Sequence, residues 1–191
     1  MNAWGYETCD DPAPSILTPQ EFRALTGNKV SSRDELLKPM LDAVSASVRS
    51  YCGWHVSPEL ACSWIGEADG RIIRLPVMAA TILEVRIGGR VIDPGSYEWT
   101  SQGLIRLACA NANRWRSVEV DFTAGTEATG ELGAVVAQIA TNALIARPGI
   151  AEEHAGQVGM TYNQTGTGIT GGVSILPRDR ELLRPWRIVG V

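Results

Sequence analysis

Lysine is almost missing from this chain. Of its 17 basic residues only Lys29 and Lys38 are lysines, and acids outnumber bases to a formal net charge of −4. Each phosphate neutralised by a protein adds counterion-release affinity, so this balance argues against a chain that lives by holding nucleic acid. It is compatible with a surface over which DNA slides without sticking. Cysteine is also scarce: Cys9, Cys52, Cys62 and Cys109 are too few and too scattered for a disulfide framework and read as reduced thiols. No apolar run is long enough to span a bilayer. The opening MNAWGYETCDDPAPS has no basic region followed by an apolar stretch, so no secretory signal is read, intracellular synthesis is expected and no membrane partner is implied.

What is present is an ordinary soluble balance, 45% apolar and 20% charged, which indicates neither wholesale disorder nor a membrane protein. A chain of 191 residues can bury a sizeable core as one domain. The organising stretch is 31–58, SSRDELLKPMLDAVSASVRSYCGWHVSP. Ser32 and Glu35 have capping-box spacing, and Leu37, Leu41, Val44, Val48 and Tyr51 recur at three- and four-residue steps, which predicts a core helix over 33–51 closed by Gly53. Pro39 lies beyond its first turn and predicts a bend or a loose first turn. Thr18-Pro19 with Glu21 predicts a short helix over 18–27. A third helix is expected over 131–147, with Leu132, Val136, Ile139, Ala143 and Leu144 on one side and Pro148-Gly149 at its end; it should pack on the 33–51 helix.

Between these helices the period changes from helical to alternating. Strands are expected at 61–65, 71–75, 82–87, 97–100, 104–107 and 117–123, with turns at Asp69-Gly70, Gly88-Gly89 and Pro94-Gly95. Val118, Val120 and Phe122 alternate with Glu119 and Asp121, as in a sheet with one dry and one wet face; Ile82 to Ile87 reads the same way. The expected fold class is therefore α+β: a small helical bundle, with helices near 18–27, 33–51, 131–147 and a short 178–184, carrying an inserted antiparallel β unit over 61–123. Residues 1–15, acidic and proline-containing, read as a flexible arm. Residues 16–150 form the main domain, with its insertion at 60–125. The Gly- and Thr-rich 152–174 reads as a mobile loop leading, within 151–191, to a C-terminal docking arm.

No catalytic, cofactor or metal site emerges. Cys52, His55 and Cys62, with Cys9, Cys109 or His154 as a fourth, lack the two close ligand pairs of structural zinc, and His55 fits a structural role at a helix end. A triad from a serine, His154 and Glu153 has no G-x-S-x-G context. Gly166–Gly172 lacks the Lys-Ser/Thr of a phosphate loop. Asp10-Asp11 and Glu152-Glu153 stand at segment edges, where solvation explains them.

Several stretches in this order carry a resemblance: ILTPQEFRALTG, the helix running into YCGWHVSP, the alternating region from RIIRLPVMAATILEVRIGG to VEVDFTAG, ELGAVVAQIATNALIARPG, and EEHAGQVGMTY with LPRDRELLRPWR. Together they cover 16–188 and resemble the head-to-tail connector, or adaptor, proteins of long-tailed bacteriophages. The resemblance implies a non-enzymatic virion protein at the head–tail junction, assembled in the host cytoplasm as a ring of twelve beneath the portal protein. It further implies a tailward neck or tail partner, a lumen through which DNA passes without sequence-specific binding, and no cofactor. Leu182, Leu183, Arg184, Trp186 and Arg187, an apolar cluster rimmed by arginine, are the expected portal-docking residues. The alternatives are another neck protein, such as a stopper or tail terminator, and a small metal-dependent or hydrolytic enzyme.

Overall fold

The computed structural model describes residues 4–27, 34–109, 115–128, 130–145, 152–155, 158–161, 164–166, 169–170 and 173–188. They fall into two units: a β unit made of residues up to Pro14, Gly53–Glu127 and the residues from Arg187 on, and a helical unit made of Ser15–Cys52 and Ala128–Trp186.

In the helical unit, α1 (Pro19–Thr26) starts at a complete capping box. The Thr18 hydroxyl accepts the Glu21 N–H at 3.2 Å and the Glu21 carboxylate accepts the Thr18 N–H at 2.7 Å. Gly27 closes the helix in the left-handed conformation (φ 61°). The helix α2 (Asp34–Cys52) runs through Pro39 unbroken. The capping position expected at Ser32 lies outside the described residues. Leu37, Leu41, Val44 and Val48 are all buried, as the stripe requires, and Tyr51 at its end is half-buried, its hydroxyl donating to the Arg180 carbonyl at 3.0 Å. The Ser45 hydroxyl ties the approach to α1 onto α2: it accepts the Ile16 N–H at 2.9 Å and donates to the Leu41 carbonyl at 2.7 Å.

The third helix, α3 (Glu131–Ile145), packs against α2, as the matching stripes predict, and also against α1. Its burial is broader than one stripe: Leu132, Val135, Val136, Ala137, Ile139, Ala140 and Ala143 are all inside. Gly133 leaves room for the segment leading into the helix, since a Cβ there would overlap the Ala128 carbonyl oxygen. The Pro148-Gly149 stop lies outside the described residues.

In the β unit, every strand pairing is antiparallel. The strands are β1 (Glu7–Thr8), β2 (Leu60–Gly66), β3 (Ile72–Arg74), β4 (Ala79–Ile87), β5 (Arg90–Val91), β6 (Tyr97–Trp99), β7 (Leu104–Leu107) and β8 (Val118–Ala124). They form two sheets, not one: a five-stranded sheet ordered β1-β2-β8-β4-β5 and a three-stranded sheet ordered β3-β7-β6. The central strand β8 alternates without exception. Val118, Val120, Phe122 and Ala124 are buried, while Glu119, Asp121 and Thr123 reach solvent. The β4–β5 hairpin turns on Gly88 and Gly89 with φ 58° and 79°, the pair of left-handed residues that a tight hairpin turn needs and that glycine supplies without a Cβ clash.

Strict alternation along Ile82–Ile87 would put Ile82, Glu84 and Arg86 on one face. A bulge resolves the conflict: Ile82 pairs with Phe122 and Glu84 with Asp121, leaving Leu83 as the extra residue. Ile82 and Val85 both turn inward at 9% and 0% exposure, and Leu83 is left 56% exposed.

The two terminal segments expected as arms are built into the units. Glu7–Thr8 adds an edge strand to β2, and Tyr6 beside it is wholly buried, because an aromatic ring next to a free sheet edge gains both backbone pairing and apolar cover. At the other end, α4 (Pro177–Leu183) continues into a 3-10 turn at Arg184–Trp186 and packs against α2 and α3 through the buried Leu183. Between α3 and α4, the stretch without visible period contains two short hairpins, β9 (Glu152–Ala155) with β10 (Val158–Thr161) and β11 (Gln164–Gly166) with β12 (Ile169–Thr170). Strands of two to four residues are too short for alternation to register.

Candidate interaction surfaces

The residues weighed as metal ligands are occupied by the fold. His55 is buried, and its Nε2 lies 2.9 Å from the Ala124 carbonyl, which only accepts, so Nε2 carries the hydrogen. Nδ1 then accepts the Tyr6 hydroxyl hydrogen at 2.6 Å, and the same hydroxyl oxygen accepts the His55 backbone N–H at 3.1 Å. Trp54 packs edge-on to the imidazole with ring centroids 5.3 Å apart. The structural role expected for His55 is thus filled by a strand carbonyl and a tyrosine in place of helix-end carbonyls. Cys62 is buried, its thiol donating to the Leu60 carbonyl, and burial pushes its pKa up to about 12; Cys52 is buried in the helical unit. Cys9 and Cys109 are exposed. Among the described residues no three His, Cys, Asp or Glu side chains gather as a metal site. No described helix is long and apolar enough to cross a membrane.

Of the serine–His154–Glu153 grouping, Glu153 and His154 lie on β9, in register with Met160 and Gly159 of β10. Gly166 lies in β11 and Gly172 outside the described residues. Asp10 and Asp11 are exposed, in keeping with the solvated reading.

The wet face of the five-stranded sheet carries charge. By register Glu7, Ser63, Asp121 and Glu84 form one cross-strand row, and Ile65, Glu119, Arg86 and Val91 the next. Arg86 bridges three carboxylates, touching Glu84, Asp121 at 3.0 Å and Glu119 at 3.5 Å. One guanidinium among four acids leaves this face acidic.

The C-terminal residues singled out from the sequence separate. Leu183 is fully buried in the helical unit and faces no partner, Leu182 and Trp186 are half-buried, and Arg184 and Arg187 are exposed. Arg184 reaches Glu181 at 3.6 Å, a solvated pair of little energetic weight. Asp179 anchors the start of α4 by accepting the Leu176 N–H at 3.0 Å.

Sequence reasoning missed a second set of surfaces on the β unit. Trp115 is 78% exposed at the approach to β8, beside Ile65 at 42%. These two, with Gly5, Trp64, Gly66, Glu67 and Arg116, line an open groove of about 300 Å³. Under β5 lies a larger cavity of about 490 Å³ whose walls include Ile87, Val91, Ile92 and Leu107. The signal for Trp115 was present as a tryptophan among arginines, NRWRS, outside any alternating run.

No protein-family model and no curated protein sequence matches the chain. Two solved structures share its fold nearly end to end. One is a chain in the neck of an empty GTA (gene transfer agent) particle, computed with C6 symmetry: TM-score 0.60 at 18% identity, over 97% of this chain and 96% of that one. The other is a chain in the neck of a native GTA particle, computed with C12 symmetry: TM-score 0.57 at 17% identity, again over 97% and 96%. The chain therefore has the α+β fold of a protein from the neck of a phage-like particle.

Proposed function

We propose that this chain is a structural, non-enzymatic neck protein: a head-to-tail connector that forms a ring under the portal of a tailed, phage-like particle and leaves a channel for DNA. The observation that carries the reading is the full-length likeness to chains in the GTA neck, in particles whose necks were computed with six- and twelvefold symmetry. A likeness over 97% of the chain supports a neck role for the whole fold and not for one module of it.

The rest of the reading is physical. With 21 acids against 17 bases and an acidic wet sheet face, the chain sets more carboxylates than cations against DNA, which suits a channel wall that DNA passes without sticking. Its partners are further copies of itself, twelve in the ring, the portal protein on the head side and a neck or tail protein on the other. The portal-docking segment runs from the end of α4 through the 3-10 turn to the residue after it: half-buried Leu182 and Trp186 with exposed Arg184 and Arg187. An aromatic anchor rimmed by guanidinium groups suits a groove with acidic edges. Leu183 supports this segment from inside the subunit.

Deleting the C-terminal segment would remove α4 from its own core, so point variants make the test. Trp186→Ala combined with Arg184→Glu is expected to leave the subunit folded and to weaken co-sedimentation with portal at least tenfold, the equivalent of ~1.4 kcal/mol. Trp186 has contacts within its own subunit, so the melting temperature is measured alongside. Undiminished portal binding by the folded variant removes this segment from the interface. Binding to a tail protein but never to portal points to a stopper or terminator.

A further inference from the structure

We propose that Trp115 and the cavity under β5 are the two halves of a single contact between successive copies of this chain. The inference rests on the ring reading above and adds which surfaces meet.

The central strand β8 starts between Gly66 of β2 and Ile87 of β4, and two unlike features stand on either side of that start. On the β2 side Trp115, in the turn that leads into β8, stands 78% exposed, the most exposed large apolar side chain among the described residues. It is presented by an unusual backbone: Arg116, which follows it, has φ 50°, a left-handed conformation that disfavours any residue with a Cβ. Such strain persists where the surrounding structure holds it, and here it sets the tryptophan outside the sheet. At the β5 margin the cavity of about 490 Å³, with apolar walls from Ile87, Val91 and Leu107, has more room than an indole ring needs. Val91 at its edge is 59% exposed. The Gly88 N–H donates to the Ser117 carbonyl at 2.8 Å, so the β4–β5 turn and the segment after Trp115 share one end of the sheet. Projection and cavity are therefore level.

Charge supplies the complement. Exposed Arg116 and Glu67 flank Trp115, and exposed Arg90 and Asp93 flank the cavity. Each side offers one charge of each sign, so Arg116 can meet Asp93 while Glu67 meets Arg90, an arrangement that fixes orientation and register. A projection on one side of the β8 start fitting a cavity on the other is a head-to-tail contact. Such a contact builds a ring when its rotation closes, whereas a self-complementary patch stops at a dimer.

The test uses two variants at exposed positions, Trp115→Ala, which removes the projection, and Ala108→Trp, which fills the cavity. Sedimentation velocity on each, with thermal melts to verify folding, is expected to show about 30-fold weaker self-association than wild type. An equimolar mixture of the two has one intact projection and one intact cavity, and should give a dimer that grows no further. The charge pair gives an independent check: Glu67→Arg or Arg90→Glu alone weakens assembly and the double variant restores it. Variants that assemble like wild type, or a mixture that stays monomeric, overturn this contact while leaving the ring standing. A wild type that sets no copies side by side, either alone at millimolar concentration or on portal rings, overturns the ring and this contact with it.

Discussion

Replacing Tyr6 by Phe isolates one hydroxyl in the most tightly bonded part of the β unit. The ring itself stays, so its packing on Phe122 at a centroid distance of 6.1 Å and on His55 at 5.8 Å is retained. What is lost is a group that both donates to His55 Nδ1 at 2.6 Å and accepts the His55 N–H at 3.1 Å. Both His55 atoms are buried, where losing a hydrogen-bond partner costs about 1–3 kcal/mol apiece. The expected destabilisation is thus roughly 2–6 kcal/mol, a large part of a typical margin of about 5–15 kcal/mol. Trp54, 5.3 Å from the imidazole, makes tryptophan fluorescence a reporter of this region during urea unfolding. A lower midpoint with an unchanged slope is predicted. A midpoint that does not move would refute the reasoning that the N-terminal segment is part of the core and that Tyr6 completes the His55 bonding.

Val44→Asp places a carboxylate at a wholly buried position of α2, a cost of several kcal/mol; circular dichroism should show the helical unit unfolded, and a wild-type melt would contradict the α2–α3 packing. Leu183→Ala should cost about 2–5 kcal/mol in thermal or urea unfolding, whereas a loss below about 0.5 kcal/mol would return α4 to the status of a loose arm. Cys62 titrates at about 12 when folded against about 9.0 ordinarily, so its contribution is intact below pH 9 and is lost as pH rises toward 12 while the unfolded thiol ionises first. Near pH 10 that amounts to about 1.4 kcal/mol, and Cys62→Ala should show a correspondingly flatter alkaline stability profile; identical profiles would speak against a protonated, buried thiol. In the native protein a thiol reagent should modify Cys9 and Cys109 quickly and spare Cys52 and Cys62, which peptide mapping can check.

The elements whose signals are local were legible from the residues. Thr18, Pro19, Glu21 and Gly27 announce α1 completely, and the stripe from Leu37 to Val48 is the buried face of α2. Val118 to Ala124 alternates because a central strand has both neighbours and one dry face. What escaped depends on distant partners. Nothing near Tyr6 in sequence reveals that β2 has a free edge or that His55 needs a hydroxyl, since the partner lies 49 residues away. The bulge at Leu83 is invisible to a strict period of two until Phe122 and Asp121 fix the register. Division into two sheets likewise depends on which strands meet: β3 and β6 both choose β7. At the C-terminus, Leu182 and Leu183 are adjacent leucines on a short amphipathic turn, and only packing tells which one turns inward. The interaction surfaces were the least legible part. Trp186 was marked because it sits among arginines in the C-terminal element; Trp115 has the same neighbours but stands outside any alternating run, where periodicity offers no reason to notice it.

Electron microscopy of this chain mixed with its portal tests the central claim most directly. The account predicts a ring of twelve copies seated coaxially on the portal, with an open channel and with the α4 side of each subunit toward the portal. Particles in which portal rings remain bare while this chain stays monomeric in the background would contradict it.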